Sequence, residues 1–350
     1  MKPLILHVAA FTNPQGGGFV SAISRLALDE RFDTALLVPP SAARFAWRPL
    51  LERSGVRVLY AASPMHVVSV VARTAPSRVH AHFTQWMLPA MLGGRACGAR
   101  VAWHLHSGVA PSAGARTIGR RAKYAGAKRF VDRFFCASGD IVRYLEGYGI
   151  PSVRIVELAN GVDLRRFRPP TLKERAAARL RYALGPRDRV IAFFGRDALV
   201  KGADLLARAA RFVPESTAVL TIAPSQATAS ALRGVRTIDA GSLLDVRGAL
   251  WAADAVALPS RSEGLPYSLL EARACGLAAV ASPLEGVVRA LGGDAGTELV
   301  DPHDARRFAQ SLERAFASGI VPLAREIAEA ISIDRWAERL AEWYAGADAA

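Results

Sequence analysis

Two acids eight positions apart, Glu263 and Glu271, flank a glycine turn in the segment SRSEGLPYSLLEARACGLAAVAS, which follows the apolar run AVALP and leads into a helical stretch over residues 267–275. A strand, a tight turn through Gly264 and a helix start place free backbone N–H groups and the positive helix end at a sheet's carboxyl edge, where a phosphate can sit. Glu263 can then face a ligand's sugar while Glu271 reaches polyol hydroxyls deeper in, so the pair suggests a sugar nucleotide. The plain alternative is a helix cap and a solvated face. Upstream, the run VIAFFG ends in Gly195 and Arg196, and Lys201-Gly202 follows after a four-residue loop. Two cations at a strand end beside a helix start suit a diphosphate whose charge grows as it leaves; ordinary surface charges are the alternative.

The first half carries a second set. Gly16-Gly17-Gly18 comes straight after the first apolar run, and glycine there lets backbone approach a ligand or a neighbouring domain. The order G-x-G-x-x-G and a suitably placed acid are both missing, which argues against a nicotinamide site. His80/His82 and His104/His106 each take alternate positions of a strand and point to one side of it. No acid lies between Glu52 and Asp132 to complete a metal shell, so no metal is expected there. His106 ends its strand before Ser107-Gly108, at the edge where open α/β sheets bind ligands, although a hydrogen-bonded core histidine would read the same way.

These residues need elements to hold them. Strands of a parallel sheet read as short apolar runs and helices as longer 3.6-residue periodicities, and the chain alternates the two twice over. LILHVAAF, TALLVPP, RVLYA, RVHAHF, RVAWHLH, RFFCAS and RIVELANG fill the first half, with helical stretches such as 19–29 and 139–147 between them. VIAFFG, AVLTIAP, VRTIDAG, AVALPS and AAVAS fill the second. The fold class is α/β, with two Rossmann-like doubly wound domains. The diproline Pro169-Pro170 sets the boundary, giving domains 1–168 and 169–332. Residues 333–350 form a further helical segment whose Trp336, Leu340 and Trp343 share one stripe, expected to dock back toward the first domain.

A chain of 350 residues with 51% hydrophobic and 22% charged residues is neither one small module nor disordered. Cys97, Cys136 and Cys275 are too few and too far apart for a disulfide ladder or a thiolate zinc site, which fits a reducing compartment. The stretch 216–232, free of Asp, Glu, Lys and Arg, is too rich in Ser, Thr and Gln to span a bilayer. MKPLILHVAAF runs into NPQGGG without a small-residue cleavage site, so it reads as a buried first strand and not a secretion signal.

The net charge of +14 belongs to the first half: residues 1–170 hold 23 Lys and Arg against 9 Asp and Glu, residues 171–350 hold 22 against 22. Within it, residues 116–133 concentrate Arg116, Arg120, Arg121, Lys123, Lys128 and Arg129. As a helix this is a basic amphipathic surface suited to anionic headgroups, or a solvated face. The aromatics form no stacking platform, so a nucleic-acid partner is not expected.

Together these pieces resemble the group 1 (family 4) glycosyltransferases, retaining enzymes of the GT-B fold, over essentially the whole chain. The EGLPYSLLE segment is similar to the family's E-x7-E signature, GRDALVKG to its GR-x4-KG diphosphate clamp, and ELANGVDLRRFRP, through Asn160, Gly161, Asp163, Phe167 and Pro169, to the stretch that ends the first domain. The resemblance implies two domains facing a central cleft. It implies that Arg196 and Lys201 hold the donor's diphosphate, that Glu271 binds the ribose and that Glu263 contacts the donor sugar. His106 would sit beside the reacting hexose, Gly17 and Gly18 would line the phosphate or acceptor side, and Leu269 and Leu270 would offer backbone N–H groups. Where the family runs into Gly-Gly and then Pro-Glu, this chain has Pro283-Leu284-Glu285-Gly286-Val287, a departure that bears on sugar and base selection.

The expected reaction is hexose transfer from a nucleotide diphosphate sugar to a hydroxyl, with anomeric configuration kept and no cofactor or metal. A lipid-linked or polysaccharide precursor is the favoured acceptor, and the expected location is cytoplasmic, peripheral at the inner membrane face. A sugar nucleotide epimerase or hydrolase, and a non-catalytic nucleotide-sugar or polyanion binder, are the alternatives.

Overall fold

The structure, a computed structural model, describes residues 2–106 and 115–346, the side chains of 115–118 left aside. Ser107 and Gly108 and the Arg116 side chain therefore lie outside the described residues. The chain divides into two compact units, Met1–Asn160 with Ile333–Ala350, and Gly161–Ser332. No helix among the described residues is long and apolar enough to cross a membrane.

Unit 1 is a seven-stranded parallel sheet of β1 (Leu4–Ala9), β2 (Asp33–Val38), β3 (Arg57–Tyr60), β4 (Arg78–His82), β5 (Arg100–Leu105), β6 (Arg133–Cys136) and β7 (Ile155–Glu157), in the order β3-β2-β1-β4-β5-β6-β7. Along β1 the side chains part by turns. Leu6 and Val8 enter one core, while Ile5 and Ala9 enter another with α1 (Gly17–Leu26). Helix α2 (Ala115–Phe130) packs Tyr124 and Ala127 into the first core. The register pairs His7 with His80 and His82 with His104, so five imidazoles, His106 included, gather on the face of the second core. There the C-terminal helix α4 (Ile333–Ala345) buries Ile333, Trp336, Leu340, Trp343 and Tyr344. Tyr344 Oη lies 2.6 Å from His80 Nδ1, Trp336 stacks on His104, and Arg25 of α1 pairs with Asp334.

Unit 2 is a six-stranded parallel sheet of β8 (Arg189–Phe194), β9 (Thr217–Ile222), β10 (Thr237–Asp239), β11 (Ala255–Leu258), β12 (Ala278–Ala281) and β13 (Thr297–Leu299), in the order β10-β9-β8-β11-β12-β13. Helix α3 (Tyr267–Ala274) runs between β11 and β12, and Leu269 through Ala274 are all buried. One of these is Arg273. Its guanidinium makes a two-pronged pair with Asp294 at 2.6 and 3.0 Å and also donates to the Leu277 and Val321 carbonyls. The helix closes on Gly276, at φ +80, where a Cβ would stand 2.8 Å from Ile320.

The passage between units falls at Asn160/Gly161, eight residues before the Arg168/Pro169 boundary expected from the diproline. The Val162 N–H donates to Ile331 and Phe167 is buried, so the stretch before the prolines is already tied into unit 2. Pro169 and Pro170 instead lead into the Leu172–Arg181 helix, which Thr171 and Glu174 open with a reciprocal cap. The edge strand β13 went unread because TEL is three residues long, half-buried and carries Glu298.

Burial holds His7 down to about 3 and His106 to about 4. His80, His82 and His104 are held well below the ordinary value by burial first and by neighbouring imidazoles second. In the unfolded chain these rings protonate near pH ~6.5. Their neutral packing therefore stabilises unit 1 fully above that pH and less as pH falls through it toward 4. Five of the six tryptophans (Trp47, Trp86, Trp103, Trp336, Trp343) lie in unit 1, so fluorescence-detected melting reports it. We expect its Tm to drop by ~5 °C or more between pH 7 and 5; an unchanged Tm contradicts this account.

Candidate active site

In both sheets the strand order reverses beside the first strand of the unit, at β1/β4 and at β8/β11. Crevices at such switch points, outside the carboxyl ends of the strands, are where open α/β sheets take ligands.

At the unit 2 switch point β8 ends in Gly195 and an exposed Arg196. Thr228 donates to the Gly195 carbonyl, and a Cβ on Gly195 would stand 2.7 Å from Thr228. Asp197 caps the short Ala198–Lys201 helix, and Gly202 follows at φ +72. A Cβ there would stand 2.0 Å from the Pro259 carbonyl oxygen, so only glycine lets the two loops touch. The Arg261 N–H donates to Val200 at 2.8 Å and its guanidinium holds both Asp204 oxygens, which fastens the same junction. Lys201 is thereby delivered to the turn after β11, where its Nζ lies 2.5 Å from Glu263 Oε1; Ser260 donates to the same oxygen at 3.1 Å.

Gly264 is buried in the turn that enters α3. The N–H groups of Leu269 and Leu270 were expected to be offered to a ligand, but both are bonded to the Pro266 carbonyl, at 3.1 and 3.3 Å. The first turn tightens onto Pro266, and the donors left over are the N–H groups of Tyr267 and Ser268. One turn further, Glu271 is 6% exposed and its carboxylate has no hydrogen-bond partner among the described residues. Burial pushes its pKa up to about 8; the nearby Arg166 pulls it down and Asp245 pushes it up. Arg166 itself pairs with Asp245 at 3.4 Å. Sequence reasoning missed Arg166 and Asp245 in this role, and only the NGVDLRRF match touched the first of them.

In unit 1, Gly16 and Gly17 take φ +73 and +60 where the loop after β1 enters α1. A Cβ on Gly16 would press on Val20 and Trp47, whereas one on Gly17 would meet open space. Gly18 lies in the first turn of α1 with ordinary backbone. His106, just past β5, places Nδ1 3.4 Å from Asn160 Oδ1 and Nε2 2.9 Å from His82 Nδ1. The imidazoles His7, His80 and His82, and His82, His104 and His106, lie close enough to hold a metal ion. Of these, His7, His82 and His106 already have ring nitrogens engaged with one another.

On α2, Arg121, Lys128 and Arg129 are exposed and Arg120 is half-exposed. Lys123 is a correction to the basic face. It turns inward over the Trp103 and Tyr124 rings at 5.1 and 5.6 Å and donates to the Thr84 carbonyl, and burial lowers it to about 8.

Two Rossmann-like units of this kind define the GT-B fold. Residues 188–318 match the family model for glycosyl transferases group 1, and residues 25–166 the model for glycosyltransferase family 4. The chain belongs to the group 1 glycosyltransferases. It is similar to the D-inositol 3-phosphate glycosyltransferases of Salinispora arenicola (32% identical, 70% of this chain and 61% of that one) and Rhodococcus jostii (32%, 60% and 49%). It thus spans about half to three fifths of these relatives' length. The Anabaena protein HepE in complex with UDP-glucose shares the fold, with a TM-score of 0.83 over 98% of this chain and all of that one, at 17% identity.

A carboxyl raised to about 8 favours the native state while protonated and withdraws that stability as pH climbs from the unfolded value toward 8. Glu271→Gln is expected to match the parent at pH 4 and to exceed it at pH 8.5 by roughly 4 kcal/mol. Hydrogen exchange of the unit 2 core measures this; equal stability at both pH values refutes it.

Proposed function

We propose that this chain transfers a hexose from a nucleotide diphosphate sugar to a hydroxyl acceptor with retention of anomeric configuration. The observation that carries the reading is Glu271, a buried carboxyl with no hydrogen-bond partner among the described residues, on the helix that follows β11 at the switch point. A fold tolerates such a group where a ligand completes it, and two vicinal hydroxyls of a ribose would do so. That HepE was crystallised with UDP-glucose, and that the curated relatives are named glycosyltransferases, supports the same ligand class.

In this reading Lys201 exchanges Glu263 for the diphosphate, joined by Arg196 and by the N–H groups of Tyr267 and Ser268, and Glu263 is released to accept from sugar hydroxyls. Charge builds on the leaving phosphate as the C1–O bond breaks, and cations fixed beforehand stabilise it with little reorganisation. The electron pair of that bond stays on the phosphate oxygen. The acceptor oxygen bonds to C1 on the same face, and its proton passes to the departing phosphate. His106 and the Gly17 backbone would serve the hexose and acceptor side. The basic first half suits an acceptor that carries negative charge, such as a phosphorylated polyol or a lipid-linked precursor presented at the cytoplasmic face of a membrane.

With UDP, GDP and ADP sugars offered in turn, one donor is expected to raise Tm, and turnover of that donor should fall by about 100-fold or more in Arg196→Ala and Glu263→Ala with the fold intact. Near-normal rates reject the donor site. Free sugar as the sole product in the presence of acceptors rejects transfer, and an inverted anomeric signal in the product rejects retention. Sedimentation with vesicles should favour anionic over neutral lipid at low salt, and Arg121→Glu with Lys128→Glu should abolish the difference; equal binding to both lipids retires the membrane contact.

A further inference from the structure

The imidazoles of unit 1 form a directed chain. His106 Nδ1 faces Asn160 Oδ1 at 3.4 Å, His106 Nε2 faces His82 Nδ1 at 2.9 Å, and His82 Nε2 faces His7 Nδ1 at 2.9 Å. The far end, His7 Nε2, is buried without a partner among the described residues. A neutral imidazole has one N–H and one lone pair, so each link in such a chain dictates the next. Asn160 Oδ1 can only accept, which puts the His106 proton on Nδ1. His106 Nε2 is then a lone pair that must accept from His82 Nδ1–H, and His82 Nε2 must accept from His7 Nδ1–H. The chain ends in a bare lone pair on His7. Reversing it would require three simultaneous tautomer changes, would turn the His106 lone pair toward the Asn160 oxygen, and would leave a buried His7 N–H without an acceptor. An orphaned N–H is the rarer outcome in folded proteins.

We propose that His7 and His82 are positioning residues that lock His106 in the Nδ1–H tautomer, so that His106 meets its ligand as a hydrogen-bond donor and not as a base. The two contacts of the His106 ring differ in strength. Nε2 is held at ordinary hydrogen-bond length, while among the described residues Nδ1–H has only the long Asn160 contact and can be shared with a substrate hydroxyl. The donor role toward substrate rests on the glycosyl-transfer reading; the tautomer lock does not. The ring contacts come from β1, α1, β4, β5 and α4, and the groups that face the chain are His80, His104, Tyr344, Phe19 and Phe83, none of them a carboxylate. Nothing ionic among the described groups facing it competes with the hydrogen-bond order.

The test is direct. The full chain carries seven histidines, and His66 and His303 are the exposed ones. With 15N-histidine labelling, long-range proton–nitrogen correlation at pH 7.5 reads the tautomer of each ring, His106 being assigned through His106→Gln. His106, His82 and His7 are expected to show protonated Nδ1 and bare Nε2. His82→Asn, whose amide keeps a donor where Nδ1 stood, should preserve the His106 pattern, and His82→Phe should release it to a mixture of tautomers. In transfer assays His82→Phe should lower kcat tenfold or more with little change in KM for the donor, and His82→Asn should recover most of it. Nε2–H on His106, tautomer averaging in the parent chain, or a stoichiometric shift of these rings on adding Zn2+ overturns the proposal. If the variants fail to fold, the parent spectrum alone decides. The predicted tautomers in a chain without transfer activity would leave the lock standing and count against the function.

Discussion

The contact between Gly202 and the Pro259 carbonyl governs the geometry of unit 2. Any side chain at position 202 would collide with that oxygen, and φ +72 is itself a glycine conformation. Because the contact exists, the loop after β8 and the loop after β11 are held edge to edge, and a lysine from one reaches a glutamate from the other. Arg261 then fastens the junction from its outer side through Asp204 and Val200. The arrangement fixes opposite charges at the switch point, which in the proposed reaction is the condition under which electrostatic stabilisation costs least.

The second site acid depends on a different support. Helix α3 is buried on nearly all sides, so it has no wet face on which Glu271 could sit. The Arg273–Asp294 pair, satisfied at every donor the structure describes, anchors the helix from below and tolerates full burial because both charges are matched. Glu271 is two positions away and unmatched. One short helix thus carries a buried ion that is fully paired and a buried carboxyl that is held largely protonated for want of a partner.

Much of this was legible in the residues alone. Twelve of the thirteen strands stand where apolar runs stand; those buried on both faces must read that way, and of the partly exposed edge strands β3, β7, β10 and β13 only the last, with Glu298 at its centre, escaped. The helix over 139–147 was legible to the residue. The alternation of His80/His82 and His104/His106 was visible, but His7 joined them only through the pairing of β1 with β4, strands more than 70 residues apart. Local pattern carries no register between distant strands. Lys123 and Arg273 were misread or passed over for a related reason: a charged residue type says exposed unless its partners are known, and those partners are rings in one case and an aspartate far along the chain in the other.

Helix α4 belongs to unit 1 although the whole of unit 2 intervenes in the chain. A ribosome emits residues 1–160 long before it emits 333–345. Until then the imidazole face of the sheet waits without Trp336, Trp343 and Tyr344, and an intermediate with that face bare is open to aggregation. Unit 2, by contrast, is continuous and can finish first. The order of synthesis is therefore not the order of completion, and the nascent chain must protect its oldest domain until its newest helix arrives.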